Sequence, residues 1–158
     1  MFSDTVSKIA ELLIERGDTV SVAESSTGGL ISANLLSVPG ASAFFKGGSV
    51  VYTLAARKAF LELDSERVRK HKPLTEKIVA EFARAARKKL NSTWGIAELG
   101  AAGPSGTPYG HAAGISVFAV SGPRLLSGKI ETGASNRQSN MLFFTEACLV
   151  LFLSALKD

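Results

Sequence analysis

The run Thr19-Val20-Ser21-Val22-Ala23-Glu24-Ser25-Ser26-Thr27-Gly28-Gly29-Leu30 decides the fold. Thr19 to Ala23 is β-prone, the small polar stretch Glu24 to Gly29 breaks it abruptly, and Leu30 to Leu36 has helical character up to Pro39-Gly40. Strand, small-polar loop and helix in that order is the usual start of an α/β unit. Upstream, Val6, Ile9, Ala10, Leu13 and Ile14 recur at helical spacing, which predicts an amphipathic helix over 4–16 that Gly17-Asp18 stops. Downstream, strands are predicted at Gly48 to Tyr52, Thr93 to Leu99, Gly114 to Val120 and Leu125 to Glu131. Helices are predicted at Leu54 to Leu61, from Thr75 to Leu90 with Thr75 as N-cap, and from Asn136 to Leu156. The last is apolar nearly all round, which marks burial in the core or in a subunit interface. Helices alternating with short strands predict one α/β domain over residues 1–158, a three-layer α/β/α sandwich of undetermined strand order.

Composition narrows the partners. The chain is 46% hydrophobic and 20% charged, a globular balance without repeats or linkers. Its net charge of +4 is modest for this length. The cations gather in the connection Arg67, Arg69, Lys70, His71, Lys72 and on the helix bearing Arg84, Arg87, Lys88, Lys89. Neither cluster has interleaved aromatics, so both read as solvated faces and nucleic acid is disfavoured. Cys148 sits in an apolar run and reads as a buried free thiol. The N-terminus lacks the charged and apolar regions of a signal peptide, and Met141 to Leu156, interrupted by Glu146, is short for a bilayer. A cytoplasmic protein with no membrane partner is expected.

Three segments could carry chemistry. The turn Glu24 to Gly29 can present backbone N–H groups to an anion or oxyanion, or can simply cap the next helix. The loop Gly100-Ala101-Ala102-Gly103-Pro104-Ser105-Gly106 follows a strand as ligand loops do, or is only a turn; it is neither a P-loop nor a dinucleotide fingerprint. Arg57, early in a helix after Tyr52, reaches toward a neighbouring loop or lies on the surface. His71 and His111 stand apart, with no metal-ligand spacing.

Taken together, Ala23-Glu24-Ser25-Ser26-Thr27-Gly28-Gly29, Val38-Pro39-Gly40-Ala41-Ser42, Phe45 to Tyr52, His71, Leu74-Thr75-Glu76 and Gly100 to Pro104 resemble, in order and spacing, the CinA C-terminal domain family. That resemblance implies an α/β/α fold, a homodimer, and nicotinamide mononucleotide deamidase activity, in which the carboxamide is hydrolysed to nicotinic acid mononucleotide and ammonia. It implies Ser25 as nucleophile, Tyr52 at the end of a strand, Arg137 as the family arginine before the last helix, and no metal or cofactor. Thr27, Gly28, Gly29, Gly100 and Gly103 would bind substrate or its oxyanion, with Arg57 or Arg137 on the nucleotide phosphate.

The departures from the family pattern cluster. Its lysine falls at Arg57, and a guanidinium stays protonated and cannot act as a general base. Lys58 is adjacent but about 100° round a helix. Leu54-Ala55 replaces an Asn-Glu pair, Leu99 replaces a hydroxyl residue, and Gly133 to Arg137 is two residues longer than the family segment. Ser26 replaces a cysteine, a change expected to be harmless. An amidohydrolase is therefore expected, with a non-catalytic nucleotide-binding or interaction module as the alternative.

Overall fold

In the first strand, β1 (Val20–Glu24), alternate residues face opposite ways, and both ways lie inside the protein. Val20 and Val22 point into one apolar cluster, Ala23 into another. A strand buried on both faces needs a layer on each side, and the structure supplies it. The computed structural model describes residues 1–157. Its sheet also contains β2 (Phe45–Val50), β3 (Trp94–Ala101), β4 (Ile115–Ser121) and β5 (Leu125–Glu131), in the order β2-β1-β3-β4-β5. β1 runs parallel to β2 and β3, while β4 and β5 are antiparallel additions.

One face carries α1 (Ser3–Arg16), α2 (Leu30–Leu36) and α6 (Arg137–Lys157). Its core includes Ile9, Leu13, Leu35, Trp94, Ile96 and Phe152, and each such side chain contributes roughly 1.5–3 kcal/mol by leaving water. Gly17, at φ 67°, closes α1 with a left-handed cap, its N–H donating to the Ile14 carbonyl. The other face carries α3 (Leu54–Leu61) and α5 (Glu76–Leu90). There the sheet presents mainly small residues, including Ala23, Ala97 and Ala119, so α5 lies close. A Cβ at Gly95 would fall 2.1 Å from the Ala83 carbonyl oxygen and 2.7 Å from Arg87 Cβ. Gly95→Ala is expected to destabilise the protein by about 1–3 kcal/mol, read from chemical denaturation, because α5 must move off the sheet.

The α/β/α expectation holds, with local corrections. β2 starts at Phe45, not Gly48, and ends at Val50, so Tyr52 lies beyond it. The basic connection contains a short helix, α4 (Ser65–Arg69), whose N-cap Asp64 accepts from the Glu66 N–H. α6 is longer than its apolar run and, at 21 residues, is long and apolar enough to cross a membrane. Its Phe144, Cys148, Leu149, Phe152 and Leu156 are nonetheless buried in the core, while Leu142, Phe143 and Val150 are exposed.

Candidate active site

Because β1, β2 and β3 run the same way, their carboxyl ends meet at one edge of the sheet, where ligands of open α/β sheets bind. Ser25 is the first residue past β1. Its N–H donates to the Glu98 carbonyl at 3.1 Å, and on the other side the Val51 N–H donates to the Glu24 carbonyl at 2.8 Å. The turn is thus held between the ends of its neighbouring strands.

Two carboxyl groups support it from beneath. Glu24 and Glu98 are register partners across β1 and β3, and both are wholly buried. Glu24 accepts from Thr27 Oγ1 (2.7 Å), Ser32 Oγ (2.8 Å) and the N–H groups of Ile31 and Ser32 (3.0 Å each). It therefore caps α2, whose own N-cap residue, Gly29, has no side chain to do so. The side-chain cap of α2, one of the two roles the sequence left open for the turn's Ser and Thr residues, comes from the preceding strand. Glu98 accepts from Ser26 Oγ (2.5 Å), Ser116 Oγ (2.9 Å) and the N–H groups of Thr27 (3.0 Å) and Ser25 (3.2 Å). Burial raises the Glu98 carboxyl above the usual glutamate range, against the opposing pull of Ser26, Thr27 and Ser116. Ser26 is the nearest partner of this carboxyl. Gly100 lets the pair form, since a Cβ there would lie 2.4 Å from Ser26 Oγ and 2.8 Å from Glu98 Oε1.

These contacts sort the turn's groups. The Thr27 N–H is taken by Glu98 and the Gly28 N–H by the Ser25 carbonyl, so neither can serve an oxyanion as expected. The Ser26 and Gly29 N–H groups are used by no hydrogen bond of the turn. Gly28 and Gly29 bend the chain at φ 63° and 104°. The hydroxyls of Ser26, Thr27, Ser32 and Ser116 all donate to carboxyl oxygens. Ser25 Oγ alone has no partner among the described residues.

Arg137 opens α6 at the same edge. Its Nη1 donates to the Gly103 carbonyl at 2.6 Å and its Nη2 to the Tyr52 hydroxyl at 3.3 Å. The longer segment before α6 thus still brings this arginine to the strand ends, and Tyr52 remains mostly exposed beside it.

Arg57 lies on the α5 side. Its Nε donates to the Val51 carbonyl at 3.3 Å, and its guanidinium stands 5.1 Å over the Phe82 ring. Burial lowers its pKa from the ordinary value, with Tyr109 pulling the other way. It has no carboxylate partner among the described residues. With Arg69, His71, Leu99, Gly100 and Tyr109 it lines a cavity of about 420 Å³. Lys58 is exposed and outside this wall; the buried Ser25 and the exposed Tyr52 and Arg137 also lie outside it. The expected residues therefore form two adjoining groups, linked through Val51 and Gly100. A second cavity of about 370 Å³ is lined by Arg67, Arg84 and Lys89, each already paired with Glu81 or Glu62.

Among the described residues, no three His, Cys, Asp or Glu side chains are grouped to hold a metal. His111 is pinned within its loop by Thr107 (3.0 Å), and the Cys148 thiol is buried and pushed well up by desolvation. Sequence reasoning missed Glu98, Ser116 and Tyr109. One signal existed for Glu98: it shares strand parity with the core residues Trp94 and Ile96.

Comparison with known proteins identifies the family and the fold. The family model described as the CinA C-terminal domain matches residues 3–156. A CinA-like protein of Parasynechococcus marenigrum (strain WH8102) is 40% identical over 121 residues, 76% of this chain and 29% of that protein. Another, from Fervidobacterium nodosum, is 37% identical over 130 residues, 82% of this chain and 32% of that protein. The chain thus spans about three tenths of the length of these curated relatives. Among solved structures, the competence damage-inducible protein A (ComA) from Klebsiella pneumoniae superposes with a TM-score of 0.91 at 25% identity, covering 98% of this chain and 96% of that one. The competence-damaged protein (CinA) superfamily protein from Enterobacter cloacae gives 0.90 at 27% identity, covering 98% and 91%.

Proposed function

The chain belongs to the CinA C-terminal domain family, and from that premise we propose that it is an amidohydrolase acting on nicotinamide mononucleotide through Ser25. The observation that carries this reading is the unpartnered Ser25 hydroxyl at the strand ends, in a turn whose other hydroxyls are all engaged. Ser25 Oγ attacks the carboxamide carbon. The N–H of Ser26, the residue after the nucleophile, and that of Gly29 hold the oxyanion. Tyr52, hydrogen-bonded to Arg137, relays the hydroxyl proton toward the departing ammonia. Water then hydrolyses the acyl-enzyme to the acid and restores Ser25. Arg57, a half-buried cation without a carboxylate partner, receives the substrate's phosphate from the cavity. On the same reading the protein works in the cytoplasm as a homodimer, with a small nucleotide as its ligand, and uses neither metal nor cofactor.

Arg57 also favours a second reading, a nucleotide-binding module that kept the pocket and lost turnover, because no lysine faces Ser25 from α3. Ammonia release from nicotinamide mononucleotide by the native protein, with Arg57→Lys in parallel, separates the two. Turnover by the native protein is expected. Activity only in Arg57→Lys would establish the binding module, and a ligand-induced rise in melting temperature without consumption would accompany it. No release from either, and no thermal shift at millimolar ligand, would overturn both.

A further inference from the structure

Glu98 takes no part in the chemistry above, yet no side chain beneath the serine turn is more heavily engaged, and counting hydrogens around it fixes its state. The titratable groups facing it are Glu24 on β1 and Cys148 on α6. β4 offers the Ser116 hydroxyl, and the turn offers Ser26, Thr27 and the Ser25 N–H. No cation lies among them. Thr27 Oγ1 is within reach of both carboxyls, 2.7 Å from Glu24 Oε2 and 3.1 Å from Glu98 Oε2, but has one proton to donate. So deeply buried a carboxyl, with no cation facing it, disfavours its charged form, and burial raises Glu98 accordingly.

The donors show which one keeps its proton. Each oxygen of Glu24 faces a backbone N–H, Ile31 on Oε2 and Ser32 on Oε1, and an N–H cannot reverse. Those groups also belong to the first turn of α2, which favours an anion. Glu98 differs. Its Oε2 faces the fixed N–H groups of Ser25 and Thr27, but its Oε1 faces only hydroxyls, Ser26 at 2.5 Å and Ser116 at 2.9 Å. A hydroxyl can turn round, and Ser116 has a second acceptor in the Leu99 carbonyl at 3.2 Å. A proton on Glu98 Oε1 fits when it is donated to Ser116 Oγ, whose own proton turns to the Leu99 carbonyl while Ser26 still donates to Oε1; one on Glu24 would oppose an N–H.

We propose that Glu98 is a positioning residue that works as a neutral carboxyl, its proton on Oε1 toward Ser116 while Ser26 donates to the same oxygen, and that it holds the turn in the shape that presents Ser25. Its activity arm rests on the Ser25 reading; its protonation arm does not. The direction imposed by burial agrees. A carboxyl raised in the folded state gives its full stabilisation below the unfolded value near 4.5, and this is lost as pH climbs through the folded value. Above that point Glu98 is a buried anion with no cation facing it, and the turn loosens.

Glu98→Gln is the decisive variant, since it can place an amide NH₂ where Oε1–H lies and a carbonyl where Oε2 lies. It is expected to fold, to keep kcat within a few-fold of native at neutral pH, and to lack the alkaline fall in kcat and in stability that is expected of the native protein. Glu98→Ala is expected to lower kcat a hundredfold or more with little change in KM. Infrared spectra of the native protein should contain the carbonyl stretch of a protonated carboxyl, absent from Glu98→Gln and vanishing on alkaline titration. Absence of that band at neutral pH would overturn the proposal, as would an alkaline limb that Glu98→Gln retains. If no form releases ammonia, the band and the pH dependence of unfolding still decide the protonation, so failure of the amidohydrolase reading is told apart from failure of this one.

Discussion

Ser25→Ala is expected to lower ammonia release from nicotinamide mononucleotide on the order of a thousandfold or more while moving the unfolding midpoint by less than about 2 °C. Both halves follow from the same observation. The Ser25 hydroxyl has no partner among the described residues, so removing it breaks no hydrogen bond and leaves no buried group unsatisfied. Its neighbour is the control. Ser26→Ala removes the 2.5 Å contact to Glu98 and is expected to cost about 1–3 kcal/mol of stability. A side chain kept for chemistry costs activity alone when removed; one kept for structure costs stability first. Equal ammonia release by native protein and Ser25→Ala would remove the nucleophile assignment. A large drop in the melting temperature of Ser25→Ala would instead mean that the hydroxyl supports the fold.

Glu24→Ala carries the largest expected effect on folding, a loss of about 3–5 kcal/mol and a melting temperature lower by roughly 6–20 °C. Four donors converge on this carboxylate, two of them backbone N–H groups of the first turn of α2, and none has another partner in the fold except Thr27, which can turn to Glu98. Truncation leaves those N–H groups buried without an acceptor and removes the only side-chain cap of α2. A domain of ordinary stability has about 5–15 kcal/mol in hand, so the variant is expected at the edge of folding. Glu24→Gln should fall between, because it keeps one acceptor oxygen and sets an amide donor against an N–H. Thermal melts of the three proteins check this ordering. A Glu24→Ala midpoint within 2 °C of native would show that water replaces the carboxylate and that the cap contributes little.

How far the sequence was legible depended on whether a residue's partners were near it in the chain. α1, α3, α5 and β5 follow from local periodicity and turn residues, and the structure places them where those signals lie. The start of β2 did not follow, because Gly47 and Gly48 read as a lead-in. Gly48 is a strand residue for a tertiary reason: a Cβ there would meet Ser32 Oγ on α2 at 2.2 Å. The helix α4 was hidden in a run of charges whose cap, Asp64, lies just before it. Strand order is a matter of long-range pairing that local pattern does not encode. Within the site, the roles of Ser25, Tyr52 and Arg137 came from a family resemblance and Gly103 from the glycine-rich loop after a strand, and the structure brings the last three into one hydrogen-bonded group. Glu98 could not be assigned a role, since an acid in a strand ordinarily marks a solvated face. Its burial is possible only because hydroxyls from the turn and from β4, remote in sequence, converge on it.

The turn's two sides therefore answer to different demands. Ser26, Thr27 and Ser32 bond to the buried carboxyls and hold the architecture, whereas on the outward side Tyr52 is exposed and the Ser25 hydroxyl, though buried, has no partner among the described residues. A substitution on the outward side can silence or redirect the reaction without bringing the protein near its stability threshold. Such a scaffold can lose its trade and keep its shape, ready to take up another.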